Sequence, residues 1–490
     1  MLTTFTALSA ADEEVTVKRV LNANYTLQYL AAPKDADELL DIFSEGKFYG
    51  RVRSNTFYYR WNLEDTVHSD HLISGLGGSV EYKTAPYQNL SFETTFYYSQ
   101  AFFDDSDELV PLVKSGKDTF SRYDYYTIGR KNIAVFGQAY LRYEPIDNTN
   151  IILGRQLVET FYTKSNDSKM IPNSFDAVVL DVRSIPNMKM KLGYLAKQKL
   201  RDHTDSHSVL MYGDENSTDI NTDKPQWSEN DDSAMHEGLT YTRLNAHAKK
   251  TDAPLIVADV AYRPIEDLKL NFAAYSVPAL VSSAMGEVNY IIYNGGDLSI
   301  TPGVRYLHQF DNGAGAVGGA NLNGSLAGQS GAVNGYKDAS SLESDMIAAR
   351  VVGIYKDLSL NLAYTHVFDK ADLIAPWRGF PTSGYTRSMA RYNWRANMSS
   401  YRAELKYNFD QGGNYVNTYV QASILYTDAD DEKLQLDETY YYIGFIQNIP
   451  NFNAMSLRLR VGYNDAKLNV VTDEIGFDAL DTRFEINYLF

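Results

Sequence analysis

Arginines recur at alternate positions along this chain, with apolar residues between them. In Leu457-Arg-Leu-Arg-Val461, Arg458 and Arg460 share one face while Leu457, Leu459 and Val461 share the other. A period of two is that of a β-strand. The same separation puts Arg51 and Arg53 on the face away from Val52, and Arg142 away from Ala139, Leu141 and Tyr143. Asp181 and Arg183 lie away from Val178, Leu180 and Val182; Arg305 lies away from Val304 and Tyr306; Arg350 lies away from Ile347, Ala349 and Val351. Arg402, Glu404 and Lys406 lie away from Tyr401, Ala403, Leu405 and Tyr407, and Arg483 with Glu485 lies away from Phe484 and Ile486. A guanidinium donates in a fork that matches a carboxylate, so a wall of them is a track for carboxylate-bearing solutes. Most acid falls instead in loop-like stretches: Asp214-Glu215, Glu229, Asp231-Asp232 and Asp428 to Glu432. For any single arginine the plainer role is an ion pair that stiffens the wall, with Asp181, Glu404 and Glu485 as partners.

Catalytic and metal chemistry has little support. The eight histidines fall in long links or at strand ends, where solvated side chains are expected. His203 and His207 are four apart, a ligand spacing only if a helix carries them, and nothing around them reads as one. No Gly-x-Ser-x-Gly elbow occurs, and neither Gly75-Leu-Gly-Gly78 nor the glycines of 313–335 sit in a strand-to-helix nucleotide context. With 0 cysteines there is no zinc finger, thiol nucleophile or disulfide framework. A net charge of -17 argues against a nucleic-acid partner. No cofactor and no metal are expected.

What must position the arginines is a large set of strands. No apolar run approaches the ~18 residues of a membrane-spanning helix, while 38 tyrosines supply rings suited to a membrane–water boundary. On a lipid-facing wall an arginine at mid-depth would cost about 2–4 kcal/mol, so the arginine faces must look into a lumen. Short turn-like links alternate with long polar ones. The short ones are Ala85–Asn89, Pro145–Asn148, Ile185–Asn187, Pro264–Asp267, Asn294–Asp297, Tyr355–Leu358, Gln411–Asn414 and Ile449–Asn453, built from residues that make tight reversals. The long ones are Asn62–Ser74, Ser99–Ile133, Val158–Ser174, Lys199–Thr251, Val277–Gly286, His308–Ser344, Phe368–Met398, Thr427–Asp437 and Asn464–Leu480. Nine long and eight short links make eighteen strands: an all-β, transmembrane antiparallel β-barrel with short periplasmic turns and long extracellular loops. A soluble sandwich has no reason to sort its links by length onto alternate ends. Leu239–Leu244 would make a nineteenth strand and is assigned to the fourth long loop.

The barrel is expected over residues 48–490. Residues 12–47 form a polar segment, periplasmic or in the barrel mouth, with a short helix near Asp35–Phe43. Residues 1–11 end in Ser9-Ala-Ala11 and read as the remnant of a signal peptide, an ordinary polar N-terminus being the alternative. The closing strand, Asp481-Thr-Arg-Phe-Glu-Ile-Asn-Tyr-Leu-Phe490, alternates strictly and should pair with the first strand near Phe48–Tyr59. Gly313–Gly335 reads as a mobile low-complexity loop. A wide barrel needs an element that narrows it. The third long loop (Tyr162, Asp167, Ser168, Lys169) and the seventh (Arg387, Arg391, Arg395) are the candidates, ordinary surface loops being the alternative.

The segments Gly46-Lys-Phe-Tyr-Gly-Arg-Val-Arg-Ser-Asn-Thr-Phe-Tyr-Tyr-Arg60 and Gly77-Gly-Ser-Val-Glu-Tyr-Lys-Thr84 resemble the opening strands of the OprD-type outer-membrane porins. Leu153-Gly-Arg-Gln156 with Met170-Ile-Pro-Asn-Ser-Phe175 resembles that family's third-loop region. Trp377-Arg-Gly-Phe-Pro-Thr-Ser-Gly-Tyr-Thr-Arg387 with Tyr392-Asn-Trp-Arg-Ala-Asn397 looks like the late-loop segment of its ε-proteobacterial branch. The likeness runs from about Phe43 to Phe490. It implies a substrate-preferring porin of the bacterial outer membrane for small carboxylate-bearing solutes such as amino acids. In such a porin the third and seventh loops narrow the passage and lumen arginines guide the solute. By position Arg51, Arg53, Arg402, Arg458 and Arg460 fit that ladder, with Arg387, Arg391 and Arg395 extending it to the mouth. The Gly/Ala-rich stretch and the long acidic fourth loop depart from the pattern.

The resemblance also gives Phe490 a role as the recognition end for barrel-assembly machinery. Outer-membrane lipid and small solutes are the other expected partners, with monomer and homotrimer both open. The competing readings are a structural or adhesive barrel with large surface loops, and an outer-membrane enzyme, which would need a nucleophile–base pair that the chain does not display.

Overall fold

A computed structural model describes residues 19–21, 27–29, 33–66, 68–210, 235–409, 418–449, 455–466 and 478–490. Residues 1–11, with the signal-peptide expectation placed on them, the acidic residues 214–232, the turn at Gln411–Asn414 and most of those at Ile449–Asn453 and Asn464–Leu480 lie outside the described residues.

Eighteen strands close into one antiparallel ring: β1 Lys47–Trp61, β2 His71–Lys83, β3 Leu90–Phe102, β4 Asn132–Ile146, β5 Thr149–Gln156, β6 Ser174–Val182, β7 Met188–Lys199, β8 Leu255–Ile265, β9 Leu268–Val277, β10 Val281–Tyr290, β11 Leu298–Asp311, β12 Ser344–Tyr355, β13 Leu358–Val367, β14 Met398–Asn408, β15 Tyr419–Asp428, β16 Glu438–Asn448, β17 Met455–Ala466 and β18 Ala479–Leu489. Each strand pairs with its chain neighbours, and β18 closes on β1, with Arg483 opposite Phe57 and Leu489 opposite Arg51. A three-residue piece, Tyr293–Gly295, extends the β10–β11 hairpin without adding a stave, because β10 and β11 also pair directly. No described helix is long and apolar enough to cross a membrane.

Closure answers the demand that every strand edge be satisfied. The alternation then sorts side chains. Val52, Tyr194, Val304, Leu405, Ile443, Leu459 and Phe484 are exposed on the outside, while Arg53, Arg305, Arg458, Arg460 and Arg483 are buried within. An outward apolar band of this extent is what a lipid-facing barrel requires.

Four expectations need correction. The fifth long link is a tight reversal at residues 278–280: Val277 pairs with Val281, and Ala279 takes φ +61°. The residues after it belong to β10, where outward Ser282, Ala284 and Gly286 are too small to read as an apolar stripe. Leu239–Leu244 is indeed loop, but a helix, Tyr241–Ala246, occupies most of it. The glycine-rich stretch is not loose: Val317, Leu322 and Leu326 are buried, and a Cβ on Gly238 would meet the Gly318 carbonyl at 2.3 Å. Close packing against another backbone explains the glycines as well as mobility would. His71, His203 and His236 are buried, not solvated.

The lumen is not uniformly polar either. Along β6 to β12 the inward residues include Val179, Leu195, Val257, Tyr275, Met285, Leu307 and Met346. They form one apolar core with Tyr162, Leu239, Leu244, Leu322, Trp377 and Trp394 of the third, fourth, sixth and seventh long loops. Folded-in loops therefore cover the inner wall from β6 to β12, and an open space lies against β14–β18 and β1. Sequence alternation sees only which face is inward, not what covers it.

Candidate functional site

The third loop is fastened across the lumen by the first strand. Three successive inward positions of β1 hold it. Asp167 forms ion pairs with Arg51 and with Arg53, the latter at 2.5 Å. Asn55 donates to the Ser168 and Lys169 carbonyls at 3.3 and 3.0 Å. Arg53 also reaches Glu485 of β18 at 2.8 Å, and Arg458 stands 3.8 Å from the same carboxylate. Arg51 and Arg53 are thus buried beneath the loop, holding it, while Arg458 is buried beside Glu485.

The seventh loop is fastened from the other side. Arg305 of β11 pairs with Glu287, donates to the Pro381 and Ser383 carbonyls at 2.7 and 2.9 Å, and lies between the rings of Phe161 and Tyr385. Arg350 of β12 donates to the Gly384 carbonyl at 2.7 Å and also lies over the Tyr385 ring, at 4.7 Å. The two loops then meet. Lys164 N–H donates to the Trp377 carbonyl at 2.8 Å, Gly379 N–H to the Tyr162 carbonyl at 3.1 Å, and Thr163 bridges Arg378. Tyr162 is part of the apolar core, its hydroxyl 2.9 Å from Ser283 and its ring against Tyr275.

Between these loops and the wall lies a cavity of about 630 Å³. Its lining carries nine basic side chains and three acidic ones. Arg402, Arg460 and Arg483 come from the wall, Lys169 from the third loop, and Arg387 and Arg391 from the seventh. Lys114, Lys117 and Arg201 come from the second and fourth loops, and Asp118, Glu237 and Asp481 are the acids. Arg460 and Arg483 face each other across the β17–β18 ladder, where like charges repel; Asp481 offsets this by accepting from Arg483 Nε at 3.0 Å. Arg387 stacks on Phe380 at 4.3 Å, and Arg391 pairs with Glu438 at 3.1 Å. Arg402 is bound to Glu404 on its own strand.

Beyond the residues that hold the loops or pack beneath them, four predicted residues lie away from this cavity. Arg142 pairs with Glu93 at 3.0 Å, and Arg183, just past the end of β6, with Asp181 at 3.0 Å. Lys406 covers the ring of Tyr419 at 3.7 Å. Arg395 is half-buried beside Tyr336 of the sixth loop.

The second loop was not foreseen as part of the site. His71 of β2 explains its course: Nε2 accepts from the Lys114 and Ser115 N–H groups, both at 3.2 Å, while Nδ1 is 3.0 Å from the Ser69 carbonyl. Ser115 donates to Asp481 at 3.0 Å and Ser99 to the Thr119 carbonyl at 2.8 Å. This brings in Asp118, which pairs with Arg201 at 3.0 Å and Lys169 at 3.7 Å. Burial works to raise the Asp118 carboxyl, but Arg201 and Lys169 outweigh it and hold it well below the usual range. Burial, aided by Arg483, pushes the Lys169 ammonium down. The only sequence signal was the basic pair in Lys114-Ser-Gly-Lys117, which strand alternation does not register.

Such an arrangement attracts anions into a confined space and offers several forked donors along one wall. No cluster of His, Asp and Glu that could hold a metal occurs among the described residues.

No family model matches the chain, and no curated protein sequence is similar to it. Solved structures share its fold. Pseudomonas aeruginosa OccK8 (OprE) is 13% identical over 92% of this chain and 99% of that one, with a TM-score of 0.67. Acinetobacter baumannii OccAB1 is 13% identical over 94% and 99%, also with a TM-score of 0.67. Pseudomonas aeruginosa OpdK, solved with vanillate, is 12% identical over 91% and 98%, with a TM-score of 0.63. At these identities the likeness is one of architecture.

Proposed function

We propose that this protein is an outer-membrane channel for passive diffusion of small anionic solutes, carboxylate-bearing ones such as amino acids and small organic acids foremost. The observation that carries this reading is the lining of the central cavity, with nine basic side chains against three acidic ones in about 630 Å³. The long-loop end faces outward and the short turns face the periplasm, as barrel export requires. The third and seventh loops narrow the passage; Arg51, Arg53, Arg305 and Arg350 hold those loops in place, while Arg402, Arg460, Arg483, Arg387 and Arg391 meet the solute. The complex of OpdK with vanillate, a carboxylate, on the same architecture supports the solute class.

Planar-bilayer conductance of the refolded protein is the test. Stepwise currents are expected, with a reversal potential in a salt gradient that moves toward cations when Arg460→Gln and Arg402→Gln are combined. An absence of steps would favour a structural barrel with surface loops, for which the apolar covering of the inner wall from β6 to β12 is the argument. Steps with unchanged selectivity would remove these arginines from the solute path.

A further inference from the structure

The segment that precedes β1 lies against the barrel's short-turn rim. Ala36 N–H donates to the Pro86 carbonyl at 2.8 Å and Ala85 N–H to the Ile42 carbonyl at 2.9 Å, fixing it to the first turn. Tyr82, an outward residue of β2, donates from its hydroxyl to the Phe43 carbonyl at 2.8 Å and its ring packs tilted against that of Phe48, centroids 4.6 Å apart. Between these ties runs a single helical turn, Asp41–Ser44. Leu39 and Leu40 just before it and Phe43 within it are left uncovered among the described residues, 64%, 83% and 67% exposed, while Ile42 is half-buried. No core position of the barrel needs them, and soluble proteins seldom leave three large apolar residues so bare in one turn.

Their surroundings say what covers them. They continue the outward apolar band downward, through Phe48 (73% exposed) to Val52 and Val80 on β1 and β2. Phe490 joins them, its backbone bonded to Gly50 in both directions at 2.8 and 2.9 Å. The acids Asp35, Asp37, Glu38, Asp41 and Glu45 are interleaved with these apolar residues. A surface of that charge does not seek anionic headgroups; only apolar burial can hold it at a bilayer boundary.

We propose that Leu39, Leu40 and Phe43 form an interfacial anchor that lies in the periplasmic leaflet, beneath zwitterionic phospholipid headgroups. This rests on the membrane reading of the barrel. The turn seats the start of β1 at the depth where Phe490 closes the ring, so the anchor fixes the height of the closing seam in the bilayer.

The chain has no cysteine, so single-cysteine variants carry one dye each. Leu40→Cys, Val52→Cys on the outward band and Asp107→Cys in the second long loop, labelled with an environment-sensitive fluorophore, would be reconstituted in zwitterionic vesicles. The lipids would bear bromines near the headgroup end of their acyl chains. Dye at position 40 is expected to lose at least about half as much emission as dye at 52, with no dependence on salt. Dye at 107 should stay bright. Position 40 remaining as bright as 107 while 52 is quenched would overturn the anchor. So would disulfide cross-linking of Leu40→Cys between copies, which would put protein on this surface. If 52 itself escapes quenching, the membrane reading fails with it, a distinguishable result.

Discussion

Asp167 of the third long loop stands 2.5 Å from Arg53 of the first strand, and both are buried. The same carboxylate takes Arg51, so one carboxylate is shared between two buried guanidiniums; without it Arg53 would keep only Glu485 and Arg51 would lose its ion pair. Arg53 is shared with Glu485 of the last strand. The seam of the barrel and the anchor of the third loop are therefore one ion network. Replacing Asp167 by Asn should release the loop from β1, at about 3–5 kcal/mol of local stability. Single-channel conductance should rise and become noisier, while barrel melting, set by the closed ladder, should hardly move. Unchanged conductance would mean that the third loop does not narrow the pore.

Gly379 lies where the seventh loop touches the third. A Cβ there would be 2.1 Å from the Tyr162 carbonyl carbon and 2.2 Å from the Phe161 oxygen. Gly379→Ala should push the loops apart, losing the Gly379–Tyr162 hydrogen bond, for about 1–3 kcal/mol. Faster hydrogen exchange in 160–166 and 376–384, with unchanged exchange in β1–β4, is the expected pattern. Uniform exchange across the barrel would mean that the two loops are not a separable unit.

Burial, reinforced by the neighbouring Asp118 charge, lifts the Asp202 carboxyl of the fourth loop to about 7. Its folded value thus lies above the ordinary ~3.9 of a free aspartate. The stability tied to its proton is fully present below that ordinary value and is lost as pH rises through about 7. Docking of 200–210 against the second loop should loosen by up to roughly tenfold per pH unit across that window. Hydrogen exchange of that segment, corrected for intrinsic rate, reads it between about pH 5 and about pH 8. Asp202→Asn should flatten the dependence; a wild-type profile that is already flat would contradict it.

Phe490 closes the ring through both of its backbone bonds to Gly50, and its ring lies over that glycine, where a Cβ would come within 2.0 Å. Deleting Phe490 or making Gly50→Leu should each lower the yield of assembled barrel in vesicles several-fold. Barrels that still form should conduct as the wild type does. If the deletion depresses assembly mediated by the cellular machinery but spontaneous folding into vesicles is untouched, Phe490 acts as a recognition signal rather than as a clasp.

Alternation and link length together determined much of this protein. Leu457–Val461 and Thr482–Phe490 already told which face meets lipid, because a period of two leaves no other choice, and the spacing of turns carried the strand number. It erred where packing replaces pattern: at β10, whose outward Ser282, Ala284 and Gly286 carry no apolar signal, and at 313–335, whose glycines serve close backbone contact. Inwardness was legible for Arg305 and Arg460 alike. Only the tertiary structure decided that Arg305 is spent on holding a loop while Arg460 lines a cavity, and that Lys114, Lys117 and Arg201 join it. Those assignments depend on where long loops fold back across the lumen. That is fixed by non-local contacts such as Asp167 with Arg53, His71 with Ser115 and Trp377 with Tyr275, which no local period encodes.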